Sequence, residues 1–352
     1  MKHKKLTIAI IIVVVLILVT GIIMFPPIGG KMPDKKALSE KIKIKTDNGE
    51  LGLMLMSDDI SNPVLLVCGG GPGIPEYLMD AWYKNPLSEE FTVCYWDYSG
   101  TGISYKSSDK IEDMTKERYL SDTQAVTDYL RERFSQDKIY IMGHSFGTYI
   151  ALNTVKEHPE KYVCYIAMSQ IADQKQSEMI AFDTMREEYA QAGNKKMVAK
   201  FDKYDIRNSD EDYHSYTGSS LRDDAMHDLG VGTTRDINNV ITGIFIPSFR
   251  VTAYTPMERI NIWRSKFQAH DYPVNPGSDF NAFEEVKSID VPIYFVAGKY
   301  DLTTCTMLQE EYYESIDAPK KKFYLFENSA HSPLYEEYDH AKEVLQEIKA
   351  DN

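Results

Sequence analysis

The chain has few cysteines, no internal repeat and no low-complexity tract. Its four cysteines among 352 residues do not form the spaced framework of a small disulfide-held domain. No cysteine–histidine cluster has the spacing of a zinc site either. We therefore expect buried free thiols and no bound metal. A composition of 43% hydrophobic and 26% charged residues is instead typical of a globular protein with a large core.

Basic residues are also scarce. The chain has 39 Lys and Arg residues against 53 Asp and Glu residues, a formal net charge of −14. Because phosphate binding needs a basic surface, this balance argues against nucleic acid as a partner. An acidic balance usually serves solubility, and it also suits cationic substrates.

The only long apolar run lies at the N-terminus. Residues 1–5 are basic, and residues 6–25 are interrupted only by two threonines and one glycine. Twenty helical residues span about 30 Å, the thickness of a bilayer's hydrocarbon core. A cleaved signal peptide has a shorter apolar region of roughly 7–15 residues and a small-residue cleavage site, which this segment lacks. We expect residues 1–25 to form a cytoplasmic basic stub and a single-pass membrane anchor, with the catalytic domain extracytoplasmic.

Beyond a Pro-, Gly- and Lys-rich linker at residues 26–40, short apolar strands alternate with helical patterns. This order predicts a twisted, mostly parallel α/β sheet flanked by helices. Residues 170–285 break the rhythm and are mostly helical, so we expect them to form a lid, leaving residues 41–169 and 286–352 as the core. The predicted strands are 41–46, 51–56, 64–68, 91–96, 138–142, 162–168, 291–297 and 322–326.

The most informative motif is G-H-S-F-G at residues 143–147, between the predicted strand 138–142 and a helical pattern. A G-x-S-x-G sequence in a strand–turn–helix context indicates a nucleophile elbow. The glycines keep Cβ atoms out of the crowded turn, and the serine hydroxyl is exposed at the carboxyl edge of the sheet. We therefore predict that Ser145 is a nucleophile.

A serine hydroxyl needs a neighbouring base, and the base needs a group that orients it. Asp301 follows the predicted strand 291–297, and His331 follows the predicted strand 322–326. Both therefore lie at the carboxyl ends of strands, where such sheets place their chemistry. We predict His331 as the base and Asp301 as its acid, with Glu327 as the rival acid. This chemistry requires no metal or organic cofactor.

The negative charge that develops on a substrate oxygen needs two backbone N–H donors. Phe146, the residue after the predicted nucleophile, supplies one of them. The loop G-G-G-P-G at residues 69–73 follows the predicted strand 64–68, and its glycines let the backbone approach a ligand closely. We expect Gly70 to supply the second donor.

Together these motifs resemble those of the proline iminopeptidase-like α/β-hydrolases. Residues 69–73 resemble that family's H-G-G-P-G motif, and D-Y-S-G-T-G-I-S at residues 97–104 is similar to its D-x-x-G-x-G-x-S segment. The elbow, G-K-Y-D at 298–301 and S-A-H at 329–331 complete the set in order. The resemblance covers residues 41–169 and 286–350 and implies an α/β-hydrolase fold. It also implies the residue roles given above for Ser145, Asp301, His331, Gly70 and Phe146.

Two departures from the family pattern concern the substrate. Gly69 replaces the family's histidine, and Tyr98-Ser99 replaces its Gln-Arg pair. Both weaken the inference to a proline-releasing peptidase more than the inference to a hydrolase. In family peptidases, lid carboxylates hold the substrate's free amino terminus. The predicted lid has many acidic residues, and the sequence does not select among them.

The sequence thus predicts a membrane-anchored serine hydrolase that acts through an acyl-enzyme on a peptide or small-molecule substrate. Aminopeptidase activity is favoured over hydrolysis of small esters or amides. A non-catalytic binding ectodomain on a hydrolase scaffold is the alternative from another class, and the complete set of catalytic motifs argues against it. The sequence leaves the oligomeric state and the substrate-binding residues open.

Overall fold

The computed structural model describes residues 2–33, 36–270 and 277–352. Met1 of the predicted stub, residues 34–35 of the predicted linker and residues 271–276 of the predicted lid lie outside this description. The described strands form one eight-stranded sheet. They are β1 (Leu38–Thr46), β2 (Gly49–Ser57), β3 (Val64–Cys68), β4 (Thr92–Trp96), β5 (Ile139–His144), β6 (Tyr162–Met168), β7 (Ile293–Gly298) and β8 (Lys321–Phe326).

The sheet is mixed but mostly parallel, in the order β1-β2-β4-β3-β5-β6-β7-β8. Strands β1 and β2 form an antiparallel hairpin in which Thr46 pairs with Gly49, and β2 also pairs antiparallel with β4. All other pairs are parallel. The predicted fold class is confirmed in this respect. Because parallel strands point the same way, the carboxyl ends of β3, β5, β7 and β8 lie at one edge.

Helices surround this sheet and also fill the interval between β6 and β7. They are α1 (Lys2–Met24), α2 (Tyr77–Trp82), α3 (Leu87–Glu90), α4 (Lys116–Phe134), α5 (Phe146–Glu157), α6 (Gln174–Gln191), α7 (Lys195–Phe201), α8 (Asp210–Thr217), α9 (Ser220–Asp228), α10 (Ile246–Ser248), α11 (Pro256–His270), α12 (Ala282–Glu285), α13 (Thr306–Ser315), α14 (Pro333–Glu336) and α15 (Tyr338–Ala350). Single turns of 3₁₀-helix or π-helix occur at Gly102–Ser104, Ile111–Asp113, Pro159–Lys161 and Ile241–Phe245.

Two hydrophobic cores cover the two faces of the sheet. Side chains that alternate along a strand point to opposite faces, so Leu66 packs in the core that includes Ile150 of α5. Its neighbour Leu65 packs in the core that includes Leu345 of α15. Strands β3 and β5 are buried along their whole length, as expected for parallel strands covered on both sides. The four cysteines are free and buried, as the sequence predicts.

Helices α6 to α12 form a helical insertion between β6 and β7. Part of this insertion has a hydrophobic cluster of its own, centred on Phe182, Phe201 and Tyr216. The aromatic rings of Phe182 and Tyr216 meet edge to face with centroids 4.8 Å apart. The division into a core and a lid at the stated residues stays a prediction.

The N-terminal helix does not support the predicted anchor. Within the described part of the chain, no helix combines the length and the apolar character needed to cross a membrane. The predicted transmembrane helix, the membrane contact through residues 6–25 and the single-pass location with an extracytoplasmic catalytic domain are therefore wrong.

The packing of α5 against β3 yields a test of the fold around the elbow. A Cβ atom on Gly147 would collide with the carbonyl oxygen of Cys68 at the end of β3. We expect Gly147→Ala to lower the free energy of unfolding by about 1–3 kcal/mol, the usual cost of an overpacked core. Urea unfolding followed by circular dichroism measures this change. Glu157→Ala, an exposed site on the same helix, should stay within about 0.5 kcal/mol of the parent chain. Equal stability of Gly147→Ala and the parent chain would contradict the described packing.

Candidate active site

Ser145 occupies the turn between β5 and α5, as the sequence predicts. Its backbone has φ 54° and ψ −123°, a region that side-chain-bearing residues rarely adopt. Hydrogen bonds hold this conformation. The Ser145 N–H donates to the Met168 carbonyl oxygen at 3.2 Å. The Thr148 N–H and hydroxyl donate to the Ser145 carbonyl oxygen at 2.8 and 2.6 Å. The nucleophile candidate is therefore fixed by β6 on one side and by the first turn of α5 on the other.

Asp301 and His331 lie on separate loops and meet in a buried contact. Asp301 follows β7 and His331 follows β8, and their side chains join with His331 Nδ1 2.9 Å from Asp301 Oδ2. Asp301 is 1% exposed and His331 is 6% exposed. The structure thus brings together the predicted acid and the predicted base. The rival acid Glu327 lies at the surface, where it forms an ion pair with Lys299.

The Asp301 carboxylate is held ionised by its neighbours. Burial alone raises its pKa, but the adjacent His331 ring and the hydrogen bonds from His331 and Thr304 outweigh burial and bring the pKa down to about 2. The Thr304 hydroxyl donates to Oδ2 at 2.8 Å, and the Thr303 N–H donates to Oδ1 at 2.8 Å. An ionised acceptor facing Nδ1 favours the tautomer of His331 that carries its proton on Nδ1.

His331 is anchored next to the elbow through its own backbone. Its carbonyl oxygen accepts a hydrogen bond from His144 Nε2 at 2.9 Å and another from the Ser169 hydroxyl at 2.9 Å. The rings of His144 and His331 are 5.0 Å apart between centroids. Because His144 directly precedes Ser145, these contacts bring the histidine loop to the nucleophile candidate.

The glycine loop lies against the other side of the elbow. A Cβ atom placed on Gly70 would be 3.3 Å from Ser145 Cβ, so the two backbones are in contact. Gly70 N–H donates to Glu76 Oε2 at 3.3 Å, which sequence reasoning did not anticipate. Phe146 begins α5, and an N–H in a first helical turn has no carbonyl partner within its helix. Gly71 lines the same cavity as Ser145 and Phe146.

Residues 231–235 of the helical insertion form hydrogen bonds with the loop that carries Asp301 and the loop that carries His331. The His331 N–H donates to the Gly232 carbonyl oxygen, and the Leu302 N–H donates to the Val231 carbonyl oxygen, each at 3.2 Å. Glu336, at the end of α14, accepts from the Ala330 N–H at 2.9 Å and from the Arg235 N–H at 2.7 Å. The insertion therefore holds the loops of the predicted acid and base in place through these hydrogen bonds.

A cavity of about 580 Å³ opens at Ser145. The glycine loop, the elbow and the insertion all line it. Its charged side chains include Glu178 and Asp223, and Arg222 binds both of them, donating from Nε to Glu178 Oε2 and from Nη1 to Asp223 Oδ1, each at 2.8 Å. Lys266 lines the same cavity. Among the described residues, no group of three or more His, Cys, Asp or Glu side chains is placed to hold a metal ion.

Gly69 and Tyr98, which both depart from the family motifs, are in contact with each other. The Tyr98 hydroxyl donates to the Gly69 carbonyl oxygen at 2.8 Å, and the ring of Tyr98 packs against Phe146. A Cβ atom on Gly69 would be 2.9 Å from Glu76 Cβ, so Glu76 fills space next to this glycine. Sequence reasoning missed Glu76 because its partner His144 lies 68 residues further along the chain, and the one available signal was the unusual glycine at position 69.

The acid–base pair predicts a specific loss of stability in acid. The pKa of Asp301 is about 2 when folded and about 3.9 in an unfolded chain. A depressed folded pKa stabilises the fold above pH 4, and this stabilisation is lost as the pH falls through 2. Between pH 5 and pH 2, we expect the unfolding free energy of the parent chain to fall by about 2 kcal/mol more than that of Asp301→Asn. Urea unfolding at a series of pH values measures this, with the exposed Asp290→Asn as control. Parallel pH profiles for the parent chain and Asp301→Asn would show that the contact is absent.

Comparison with known proteins supports the same fold. A family model described as alpha/beta hydrolase fold matches residues 63–338. A relative named probable aminopeptidase YbaC, from Bacillus subtilis (strain 168), is 29% identical over 315 residues, which cover 87% of this chain and 95% of the relative.

Two solved structures illustrate the likeness of the fold. The proline iminopeptidase of Mycobacterium smegmatis superposes with a TM-score of 0.64 at 13% identity, over 89% of this chain and 98% of that one. The carboxylesterase CesB from Bacillus subtilis superposes with a TM-score of 0.58 at 14% identity, over 95% of each chain. The predicted resemblance is thereby confirmed. The chain belongs to the alpha/beta hydrolase fold family and is a hydrolase.

Proposed function

We propose that this hydrolase forms an acyl-enzyme on Ser145, with His331 as general base and Asp301 as the acid that orients it. The observation that carries the proposal is the hydrogen bond between Asp301 and His331, on loops anchored beside an elbow that presents Ser145. Serine, imidazole and carboxylate in this relation are the minimum needed to activate a hydroxyl for attack on a carbonyl carbon.

In the first half of the reaction, Ser145 Oγ bonds to the substrate's carbonyl carbon while its proton passes to His331 Nε2. Asp301 stabilises the imidazolium that results. The tetrahedral intermediate then expels its amine or alcohol, which takes the proton from His331. In the second half, His331 removes a proton from water, and the hydroxide attacks the acyl carbon. The carboxylic acid leaves as Ser145 regains its proton.

Two backbone donors stabilise the negative oxygen in this scheme. One is the Phe146 N–H at the start of α5. The other comes from the glycine loop at residues 69–73, for which the sequence predicts Gly70. The Gly70 N–H already donates to Glu76, and Gly71 of the same loop also borders the cavity. We therefore assign the second oxyanion donor to the glycine loop and not to Gly70 alone.

We propose aminopeptidase activity as the more specific function. The relative named probable aminopeptidase supports it, as do the carboxylates that share the cavity with Ser145. Both oxygens of Glu178 are bound by Arg222, so Asp223 is the better candidate to accept a substrate ammonium. Burial raises the pKa of Asp223, but the adjacent Arg222 guanidinium outweighs this effect and keeps the pKa below its usual value.

Replacing the nucleophile tests the proposed chemistry. We expect Ser145→Ala to lower kcat for any accepted substrate by at least about 1,000-fold, because the acyl-enzyme can no longer form. The assay should cover aminoacyl-arylamides, including the prolyl one, and short acyl esters. Ser265→Ala, which alters another serine of the cavity, should stay within a few-fold of the parent chain. Full activity in folded Ser145→Ala would refute the proposal.

Replacing Asp223 distinguishes substrates with a free amino group from simple esters. If Asp223 binds the free amino group, Asp223→Asn should raise KM for an aminoacyl-arylamide by about 10- to 100-fold, the value of a charged hydrogen bond, and leave ester hydrolysis unchanged. Asp109→Asn, a second acid of the same cavity, is the matched control. Turnover of esters with no turnover of any free-amine arylamide would instead identify the alternative, an esterase or amide hydrolase of small acyl substrates.

A further inference from the structure

A buried carboxylate and a buried imidazole lie directly behind Ser145. Glu76 and His144 are each 4% exposed, and His144 Nδ1 is 2.9 Å and 3.0 Å from the two oxygens of Glu76. The scheme for Ser145, His331 and Asp301 uses neither side chain. Burying two ionisable groups is costly unless they are paired and fully hydrogen-bonded, so their presence at this position calls for a role.

The partners of His144 define its protonation. Nδ1 faces a carboxylate, and Nε2 faces the His331 carbonyl oxygen at 2.9 Å. A carbonyl oxygen and an ionised carboxylate can only accept hydrogen bonds, whereas a neutral imidazole has one donor. The geometry therefore fits an imidazolium that donates from both nitrogens. Burial lowers the pKa of His144, but the Glu76 carboxylate raises it by more, so the net direction is upward.

Glu76 joins a second loop to this pair. Its Oε2 accepts a hydrogen bond from Gly70 N–H at 3.3 Å. It also fills the space next to Gly69, where any side chain would meet its Cβ atom. The glycine that departs from the H-G-G-P-G motif is thus the residue that admits Glu76, and the two features belong together.

We propose that Glu76 and His144 are positioning residues, an ion pair that fixes the glycine loop and the His331 loop against the nucleophile elbow. The inference rests on the proposed function, because it assigns the pair a task in the reaction at Ser145. Through Gly70, Glu76 orients the loop that supplies an oxyanion donor. Through the His331 carbonyl oxygen, His144 orients the general base.

The pair also sets the electrostatic surroundings of the base. The titratable groups that face it are Asp301 and His331 from the two loops, Tyr335 from α14, Tyr95 from β4 and Tyr98 after β4. The imidazolium of His144 lies nearest to the ring of His331, 5.0 Å between centroids, and like charges oppose each other. The charge of His144 is therefore part of the electrostatic surroundings in which His331 acts.

Glu76→Gln tests the charge while preserving the contacts. The amide oxygen can accept from Gly70 N–H, and the amide nitrogen can donate to a neutral His144 that still donates from Nε2. We expect kcat/KM to fall less than 10-fold, and the acidic limb of its pH profile to shift because the charge next to His331 changes. His144→Ala removes the link to the His331 loop and should lower kcat/KM by about 10- to 100-fold.

Asp80→Asn is the matched control, since it also converts a carboxylate to an amide on the segment that follows the glycine loop. Asp80 accepts hydrogen bonds from Tyr95 and Asn85. The pH profile of kcat/KM for Asp80→Asn should match that of the parent chain. Rates are divided by the concentration of active sites titrated with a fluorophosphonate, so that unfolded protein does not lower the measured kcat/KM.

If His144→Ala does not fold, the histidine ¹⁵N spectrum of the parent chain tests the proposed ion pair. We expect one buried imidazole with both nitrogens protonated at neutral pH and its loss in Glu76→Gln.

The outcomes separate this inference from the proposed function. An inactive parent chain that no fluorophosphonate labels would overturn both. An active parent chain whose Glu76→Gln variant keeps the parent pH profile, with no doubly protonated buried imidazole in the ¹⁵N spectrum, would overturn the positioning role alone. A shifted acidic limb together with the imidazolium signal would support it.

Discussion

The backbone of Ser145 is the constraint on which the rest of the site depends. A serine at φ 54° costs about 1–3 kcal/mol relative to a relaxed conformation, and the surrounding packing must offset this. Gly143 and Gly147 permit it, because a Cβ atom at either position would collide with neighbouring backbone. Ser145 is thus held by the same close approach of β3, β5 and α5 that forms the centre of the fold.

Asp301 and His331 lie on loops that follow different strands, and the parallel sheet brings them together. Strands β7 and β8 are neighbours, so the loops that follow them emerge side by side, and β5 delivers Ser145 to the same edge. The sheet alone does not fix the loops. The His331 N–H donates to the Gly232 carbonyl oxygen of the insertion, and His144 of the elbow donates to the His331 carbonyl oxygen. The cavity, His331 and Ser145 therefore form one connected structure.

Local patterns predict much of this molecule. The strand pattern and the G-x-S-x-G motif predict the turn that carries Ser145. The positions of Asp301 and His331 after predicted strands place both residues at the same edge of the sheet. Long-range features are not visible in such patterns. The placement of β4 between β2 and β3, and the pairing of Glu76 with His144, 68 residues apart, depend on tertiary packing. The membrane anchor, predicted from the basic residues 1–5 and the apolar run at residues 6–25, is wrong, because no described helix is long and apolar enough to cross a membrane.

The central claim is that Ser145 is the single activated hydroxyl of this chain. The most direct measurement is peptide mapping by mass spectrometry after reaction of the folded chain with a fluorophosphonate. The account predicts one phosphonyl group per chain, located on Ser145. Absence of any adduct in the folded chain, or an adduct on a different residue, would contradict it.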